Sequence, residues 1–547
     1  MKSRAEELIK QGNRLFEERQ PILSLWQEIA ENFYPERADF TVSRSLGTDF
    51  ASNLTTSYPI LARRELGNTF SSMLRTGDWF KVGVTRDDRV EGDIQAQRWL
   101  EHSTKVQRRA MSDRKSQFMR ATSEGDQDYS AFGQTCISVE LNQDADRLLY
   151  RCWHLRDVAW CEGLDGMVDT IHRKWKPTAI EVVNRFPKTA SSKLRELATR
   201  EPYTKIECRH AVVPSARYSE PTGGKAWKTP FVSVYIDVAN GEILEEIGVF
   251  DTIYVIPRWQ TVSGSQYAHS PATIAALPDA RLIQAITLVL LEAGEKAVDP
   301  PMVAVGEAIR SDYNLFAGGI TQVDAEYDEK LGEALRPLTQ DKSGIPLGLE
   351  MQQDIREMIA QAFFLNKLNL PPSADGKMTA YEVSQRIQEF IRVANPLFGP
   401  TVPEYNGQLC DMTFDRLMRA GAFGQRSDIP QSLQGQEIQF RFESPLLEAQ
   451  DRAKTQKFME LRDKLGIAMS LDPTTAVNVD VHAAFRDVLQ GDTPAEWIVP
   501  EEDAMAQRQQ LQQAQDAQQM GQDAMGMGQV AEQAGKAGQA LNAMEAA

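Results

Sequence analysis

Asp279-Ala280-Arg281-Leu282-Ile283-Gln284-Ala285-Ile286-Thr287-Leu288-Val289-Leu290-Leu291-Glu292-Ala293-Gly294-Glu295-Lys296-Ala297-Val298 reads as one helix that starts after Pro278. After an irregular stretch a second helix follows at 347–368, and at about 1.5 Å per residue each is roughly 30 Å long. Leu370-Pro371-Pro372-Ser373-Ala374-Asp375-Gly376 breaks that pattern before a further helix at 379–394. Its continuation over 401–420 makes one long helix bent at Pro396 and Pro400, where amide hydrogens are missing and the rings clash with the preceding turn. A strand at 437–442 and helices over 446–490 complete this half.

Towards the N-terminus, Leu8, Leu15, Ile22, Leu25, Trp26, Ile29 and Phe33 recur at helical spacing, with Pro21 placed to open the second of two helices. Another helix starts near Pro59 and runs to Gly77-Asp78-Trp79-Phe80, and residues 93–120 read as one more. From Phe132 the pattern changes to short β-type runs, at 135–140, 148–154 and 170–175. A hairpin joins 231–238 to 243–250 through Asn240-Gly241, residues that tolerate positive φ in a tight turn. Residues 215–228 read as an exposed loop. After Pro500 the chain is rich in Gln, Ala, Met and Gly without an aromatic residue, too poor in apolar bulk for a core of its own. The fold class is α+β, mostly helical.

A chain of 547 residues exceeds what one core organises, and 42% apolar with 25% charged residues is a globular composition. A net charge of −17 argues against wrapping nucleic acid over the whole surface. No run of about 18 uninterrupted apolar residues occurs, and the longest candidate, 283–293, is interrupted by Gln284 and Glu292, so no membrane anchor is expected. Residues 1–10 are charged and unlike a secretory signal. Five cysteines, Cys136, Cys152, Cys161, Cys208 and Cys410, form an odd, sparse set that fits free thiols in a reducing cytoplasm.

Catalytic signatures are missing. No glycine-bracketed Lys-Ser/Thr motif cradles phosphate, since Gly376-Lys377-Met378 and Gly224-Lys225-Ala226 lack the hydroxyl, and neither HExxH nor GxSxG occurs. Cys152, His154, Cys161, His172, Cys208 and His210 have ligand chemistry suited to zinc, but their spacing matches no ribbon or finger. Half-buried thiols and surface histidines are the expectation, with no metal and no cofactor. Lys105, Arg108, Arg109, Arg114, Lys115 and Arg120 make a basic stretch that is either a solvated helix face or a surface for DNA or an acidic partner. Aromatic residues are scarce in it, which disfavours single-strand recognition.

Several strings, in order, resemble the head-to-tail connecting proteins, or portals, of short-tailed bacteriophages. They are Asn53-Leu54-Thr55-Thr56-Ser57-Tyr58-Pro59 with Arg63-Arg64 and Gly67, then Gly77-Asp78-Trp79-Phe80, Ser270-Pro271 with Leu277-Pro278-Asp279, Pro300-Pro301, and Met378-Thr379-Ala380-Tyr381-Glu382-Val383 with Arg386. The resemblance runs from the first helix to about Pro500. It implies a homo-oligomeric ring, usually of twelve subunits, around a channel for double-stranded DNA, with no catalysis. It places the wing at 1–278, the two stem helices at 279–298 and 347–368, and the clip at 299–346. The channel loop falls at 369–378, the long bent wing helix and strand at 379–445, and the crown at 446–500, with the tail 501–547 as a crown extension or disordered. Implied partners are terminase, scaffolding and major capsid proteins, and tail adaptor and tail proteins. The implied location is the capsid vertex of the virion, after synthesis in the host cytoplasm.

Twelve copies at −17 give a ring charge of roughly −200, and an acidic lumen lets the duplex slide rather than stick. Lys367, Asn369, Lys377 and Met378 are the candidate channel residues, and on the plainer view the two lysines sit on solvated loop edges. The alternatives are a metal-dependent nucleic-acid-processing enzyme using the Cys/His set, or another virion structural or scaffolding protein.

Overall fold

A computed structural model describes residues 2–45, 54–75, 77–84, 93–142, 144–219, 227–305, 335–338, 344–368, 401–442 and 458–467, with scattered single positions besides. The chain divides into two units, one of residues 1–79 with 108–416, the other of 80–107 with 417–547.

In the first unit the opening helices are Lys2–Glu18 and Gln20–Phe33, the second with Pro21 in its first turn. Of the expected apolar positions Leu8, Leu15, Trp26, Ile29 and Phe33 are buried, whereas Ile22 and Leu25 are half-buried and Leu23, outside the expected set, is buried. Between the helices the Arg19 guanidinium donates to the carbonyls of Leu155 (2.6 Å), Val158 (2.5 Å) and Arg156. Burial pulls its pKa down to about 10. Helices Tyr58–Leu74 and Phe118–Phe132 pack against each other, and their Phe70 and Tyr129 meet edge to face at 5.3 Å in the main core.

Five antiparallel strands, Val158–Glu162, Val168–Trp175, Cys208–Pro214, Phe231–Asp237 and Glu242–Val249, lie side by side in that order. The last two form the expected hairpin, and Gly241 takes the left-handed conformation (φ 61°) that its turn demands. A second sheet orders Leu148–Cys152, Ile137–Leu141 and Tyr254–Val255. Two helices stand between strands where none was expected, Ala179–Arg185 and Ser192–Arg200, the first closed by Glu181 accepting the Thr178 N–H at 2.9 Å. Residues 215–228 begin with a helical turn, Ser215–Ser219, rather than an open loop.

In the second unit Phe80–Val84 pairs antiparallel with Ile438–Phe442, the strand expected near 437–442. The Thr104 hydroxyl accepts the Val82 N–H (3.0 Å), and Asp93 accepts the Gln95 N–H (2.9 Å) ahead of the helix Ile94–Met111. The single helix expected over 93–120 is therefore corrected. It ends at Met111, and after a 3-10 turn, Arg114–Ser116, a left-handed Gln117 (φ 57°) starts Phe118–Phe132. Residues 458–467 are helical.

Buried arginines fasten the first unit. Arg75 donates to both Asp126 oxygens (2.7–3.0 Å) and to Asn406 Oδ1 (3.0 Å), with its guanidinium 4.4 Å from the Tyr405 ring centre. Arg75 and Asp126 are both almost fully buried, and burial lifts the Asp126 carboxyl above its ordinary pKa against the pull of Arg75. Tyr405 and Asn406 sit on a π-helical turn, Val402–Gly407, that leads into the helix Gln408–Arg419. The helix expected over 401–420 is thus present with a wider first turn, while 379–394 lies outside the described residues. Asp126→Ala strands the buried Arg75 charge and is expected to lower the unfolding free energy by about 3–5 kcal/mol, most of it regained in the double variant Arg75→Met with Asp126→Leu. Equilibrium denaturation checks this, and a single variant as stable as the parent would show that the pair holds nothing together.

Candidate assembly surface

A helix pair rises from the core of the first unit and returns to it. Ser270 caps the rising helix, Pro271–Val298, accepting the Thr273 N–H (3.4 Å) and donating to the Ser130 carbonyl (2.7 Å). The Thr273 hydroxyl donates to the Ala131 carbonyl (2.8 Å). Both carbonyls belong to the last turn of Phe118–Phe132, where a helix has no internal donors left for them. Gly133 ends that helix at φ 72°, and a Cβ there would lie 2.1 Å from the His269 carbonyl carbon, so only glycine lets the segments meet.

This lock corrects the expected helix start from Asp279 to Pro271 and puts Pro278 inside the helix. Ala276, Leu277, Ala280 and Ile283 are buried around Pro278, so packing on both sides holds the helix through the lost hydrogen bond. One turn on, Gln284 is gripped by the Thr55-Thr56 string. Its side-chain oxygen accepts the N–H groups of Thr55 (2.8 Å) and Thr56 (3.0 Å), its Nε2 donates to the Thr56 carbonyl (3.0 Å), and its own carbonyl accepts the Thr55 hydroxyl (2.8 Å).

Beyond Gln284 no residue of the rising helix is buried, and Leu288, Val289, Leu291 and Val298 are exposed, Val298 to 88%. By length and composition Pro271–Val298 is long and apolar enough to cross a membrane, a point the interrupted run 283–293 had concealed. Its first half is embedded in protein. At the far end Met302–Ala304 pairs antiparallel with Leu335–Pro337. The returning helix is Gly344–Ala362, where a Cβ on Gly348 would lie 2.7 Å from Leu290 and where Gln352 donates to the Thr287 hydroxyl (2.7 Å). Leu347, Leu349, Met351 and Met358 are exposed on it, whereas Ile355 and Ile359 are buried near the base. The expected helix over 347–368 is interrupted, because Phe363 turns into the core against Phe33 (5.4 Å) and Phe364 takes φ 59° before the short helix Leu365–Leu368. So large an apolar surface on a folded chain marks an interaction site.

Over residues 5–493 the sequence matches the family model for bacteriophage head to tail connecting protein. The chain belongs to this family. The connector is 26% identical over 529 residues to a probable portal protein of Bordetella phage BPP-1, and 24% identical over 536 residues to the portal protein of Salmonella phage epsilon15. Each alignment covers 94% of this chain and 92% of the relative. Among solved structures, a chain from the neck of an empty gene transfer agent particle aligns over 74% of the connector and 86% of its own length, at 8% identity and a TM-score of 0.33.

Of the channel candidates in this connector, Lys367 falls on the short helix after the returning helix, while Asn369, Lys377 and Met378 lie outside the described residues. The Cys and His residues weighed as ligands are engaged separately. His154 meets Asp39 (2.6 Å), His172 meets Gln11 (3.2 Å), and the Cys152 thiol faces Thr135 and Asp128 at 3.6–3.7 Å. His172 and His210 are fully buried rather than on the surface, because both sit on inner strands of the five-stranded sheet. Arg173 donates to the Tyr254 oxygen (2.7 Å), and His210 is hydrogen-bonded through Nδ1 to the same Tyr254 oxygen and through Nε2 to the Ser233 hydroxyl (2.8 Å). Sequence reading missed the Gln284 grip, whose signal was a lone amide inside an apolar run.

Burial, with Arg209 adding repulsion, holds His172 neutral with a pKa of about 3, and burial, with Arg173 and Arg185 adding repulsion, pushes His210 well below its ordinary value. The unfolded chain binds these protons below about pH 6.5 and the fold does not, so stability rises with pH up to that value and falls beneath it. Denaturant melts from pH 7 to pH 4 are expected to lose up to about 1.4 kcal/mol per pH unit for each histidine. His172→Gln should flatten the slope; an unchanged slope in that variant would sink the assignment.

Proposed function

We propose that this connector is the portal subunit of a phage head. Copies close into a ring around a channel at one capsid vertex, through which double-stranded DNA enters during packaging, is retained, and leaves on ejection. The observation that carries this reading is the apolar shaft that Pro271–Val298 and Gly344–Ala362 expose, a surface suited to burial against a neighbouring copy. Heterologous contact between successive copies, each shaft against the next, closes such a surface into a ring.

In this reading the helix pair is the stem, the paired strands at its end belong to the clip, and the core with its two sheets is the wing. The segment after Leu368 carries the channel loop with Asn369, Lys377 and Met378, and residues 446–500 belong to the crown, with 501–547 as its extension or disordered. Glu350, Asp354 and Glu357 recur at i, i+4 and i+7 on the returning helix, all exposed, and such a stripe suits a lumen that must not hold DNA. The role is structural, without chemistry of its own. Twelve subunits, terminase docking during packaging, scaffolding and capsid contacts during assembly, and tail adaptor contacts afterwards belong to the same proposal, as does synthesis in the host cytoplasm.

Negative-stain microscopy of the purified protein is expected to give rings with a central hole slightly wider than a DNA duplex. Leu288→Glu with Leu291→Glu should abolish rings while leaving the circular dichroism spectrum unchanged. Rings formed as readily by that variant would remove the shaft from the subunit seam, and a protein that never forms rings would end the portal reading.

A further inference from the structure

The basic stretch singled out in the sequence finds no use in the stem or the channel. In the first unit it becomes a rigid knuckle joining the helix that ends at Met111 to the one that starts at Phe118. Ser116 is fully buried; its hydroxyl lies 2.6 Å from the Met111 carbonyl and 2.7 Å from that of Asp113, and it accepts the Phe118 N–H (3.2 Å). Asp113 accepts the Lys115 N–H (2.8 Å) and pairs with Arg147, and Gln117 Nε2 donates to the Arg114 carbonyl (3.2 Å). The turn is thus tied at every residue, and its outward side chains are presented on a fixed backbone.

Those side chains are cations in surplus. Arg108 is spent on Asp78 (2.6 Å) and Arg120 on Glu124 (3.0 Å). Arg109 and Arg114 are exposed and make no ion pair with a described residue, and exposed Lys115 shares the Asp113 carboxylate with Arg147. The first turn of Phe118–Phe132 carries Arg120 and no acid, against the preference of a helix start for negative charge. In a chain where 77 acidic residues outnumber 60 basic ones, this local surplus of positive charge complements an anionic partner. Beside the cations Met119 is 66% exposed, a flexible apolar side chain for which a phosphate backbone has no counterpart.

We propose that the knuckle formed by Arg109, Arg114, Lys115 and Met119 is a docking surface for an acidic amphipathic segment of another polypeptide, its carboxylates on the three cations and an apolar side chain over Met119. The surface is separate from the apolar shaft and does not depend on ring closure.

The test uses the full chain, a short fluorescent peptide with Glu and Leu recurring at helical spacing, and a short labelled DNA duplex, each titrated by anisotropy. The peptide is expected to bind, more weakly as salt rises, and Arg109→Glu with Arg114→Glu and Lys115→Glu should weaken it by about tenfold or more. Met119→Ser should weaken it severalfold, with duplex affinity unmoved by either change and circular dichroism confirming the fold. No peptide binding, peptide binding equal in parent and variants, or a loss confined to the duplex would each overturn the proposal, the last by assigning the surface to nucleic acid.

Discussion

The structure turns on one junction, where the end of one helix and the start of another satisfy each other. The carbonyls of Ser130 and Ala131 close Phe118–Phe132 without internal donors, and the hydroxyls of Ser270 and Thr273, which begin Pro271–Val298, supply them. Each such bond is worth only about 1 kcal/mol net, but buried carbonyls left without a donor cost about 1–3 kcal/mol each, so neither helix end is stable in place without the other. Gly133 makes the approach sterically possible. Because the rising helix is held there and again at Gln284, its apolar outer half is presented as a rigid body rather than a loose arm.

Buried arginines extend the same logic across the sheets. Arg258 donates its backbone N–H to Glu404 (2.9 Å) while its guanidinium reaches Glu404 (3.3 Å), the Gly166 carbonyl (3.0 Å) and Glu162, so one residue joins a hairpin tip to the π-helical turn. Arg19 and Arg75 do comparable work between segments distant in sequence. Such contacts confer geometry more than net stability, since desolvating each charge offsets much of its attraction.

Local patterns were legible in the chain. Leu8 to Phe33 at helical spacing, Asn240-Gly241 between alternating runs, and the two long helices around 279–298 and 347–368 were readable because period and turn chemistry are short-range properties. Pro278 misled because a proline breaks an isolated helix but not one packed on both sides. Gln117 carried no mark of its left-handed backbone, so 93–120 read as one helix. Thr178 followed by Glu181 was a readable cap for a helix that went unnoticed. Of the candidate assembly surface, the apolar run was visible and so was the odd amide at Gln284. Its partners Thr55 and Thr56 appeared only as part of a family-like string, because nothing in a linear sequence says which segments meet.

The exposed helix pair has a consequence for the chain before it meets any neighbour. A subunit fresh from the ribosome carries an oily rod in water, and the same surface that welcomes the correct neighbour welcomes any other. On the portal reading proposed above, the rate at which a rod meets a like neighbour rises with the local concentration of copies. A cell making this protein would profit from gathering the copies early, or from lending each rod a temporary cover.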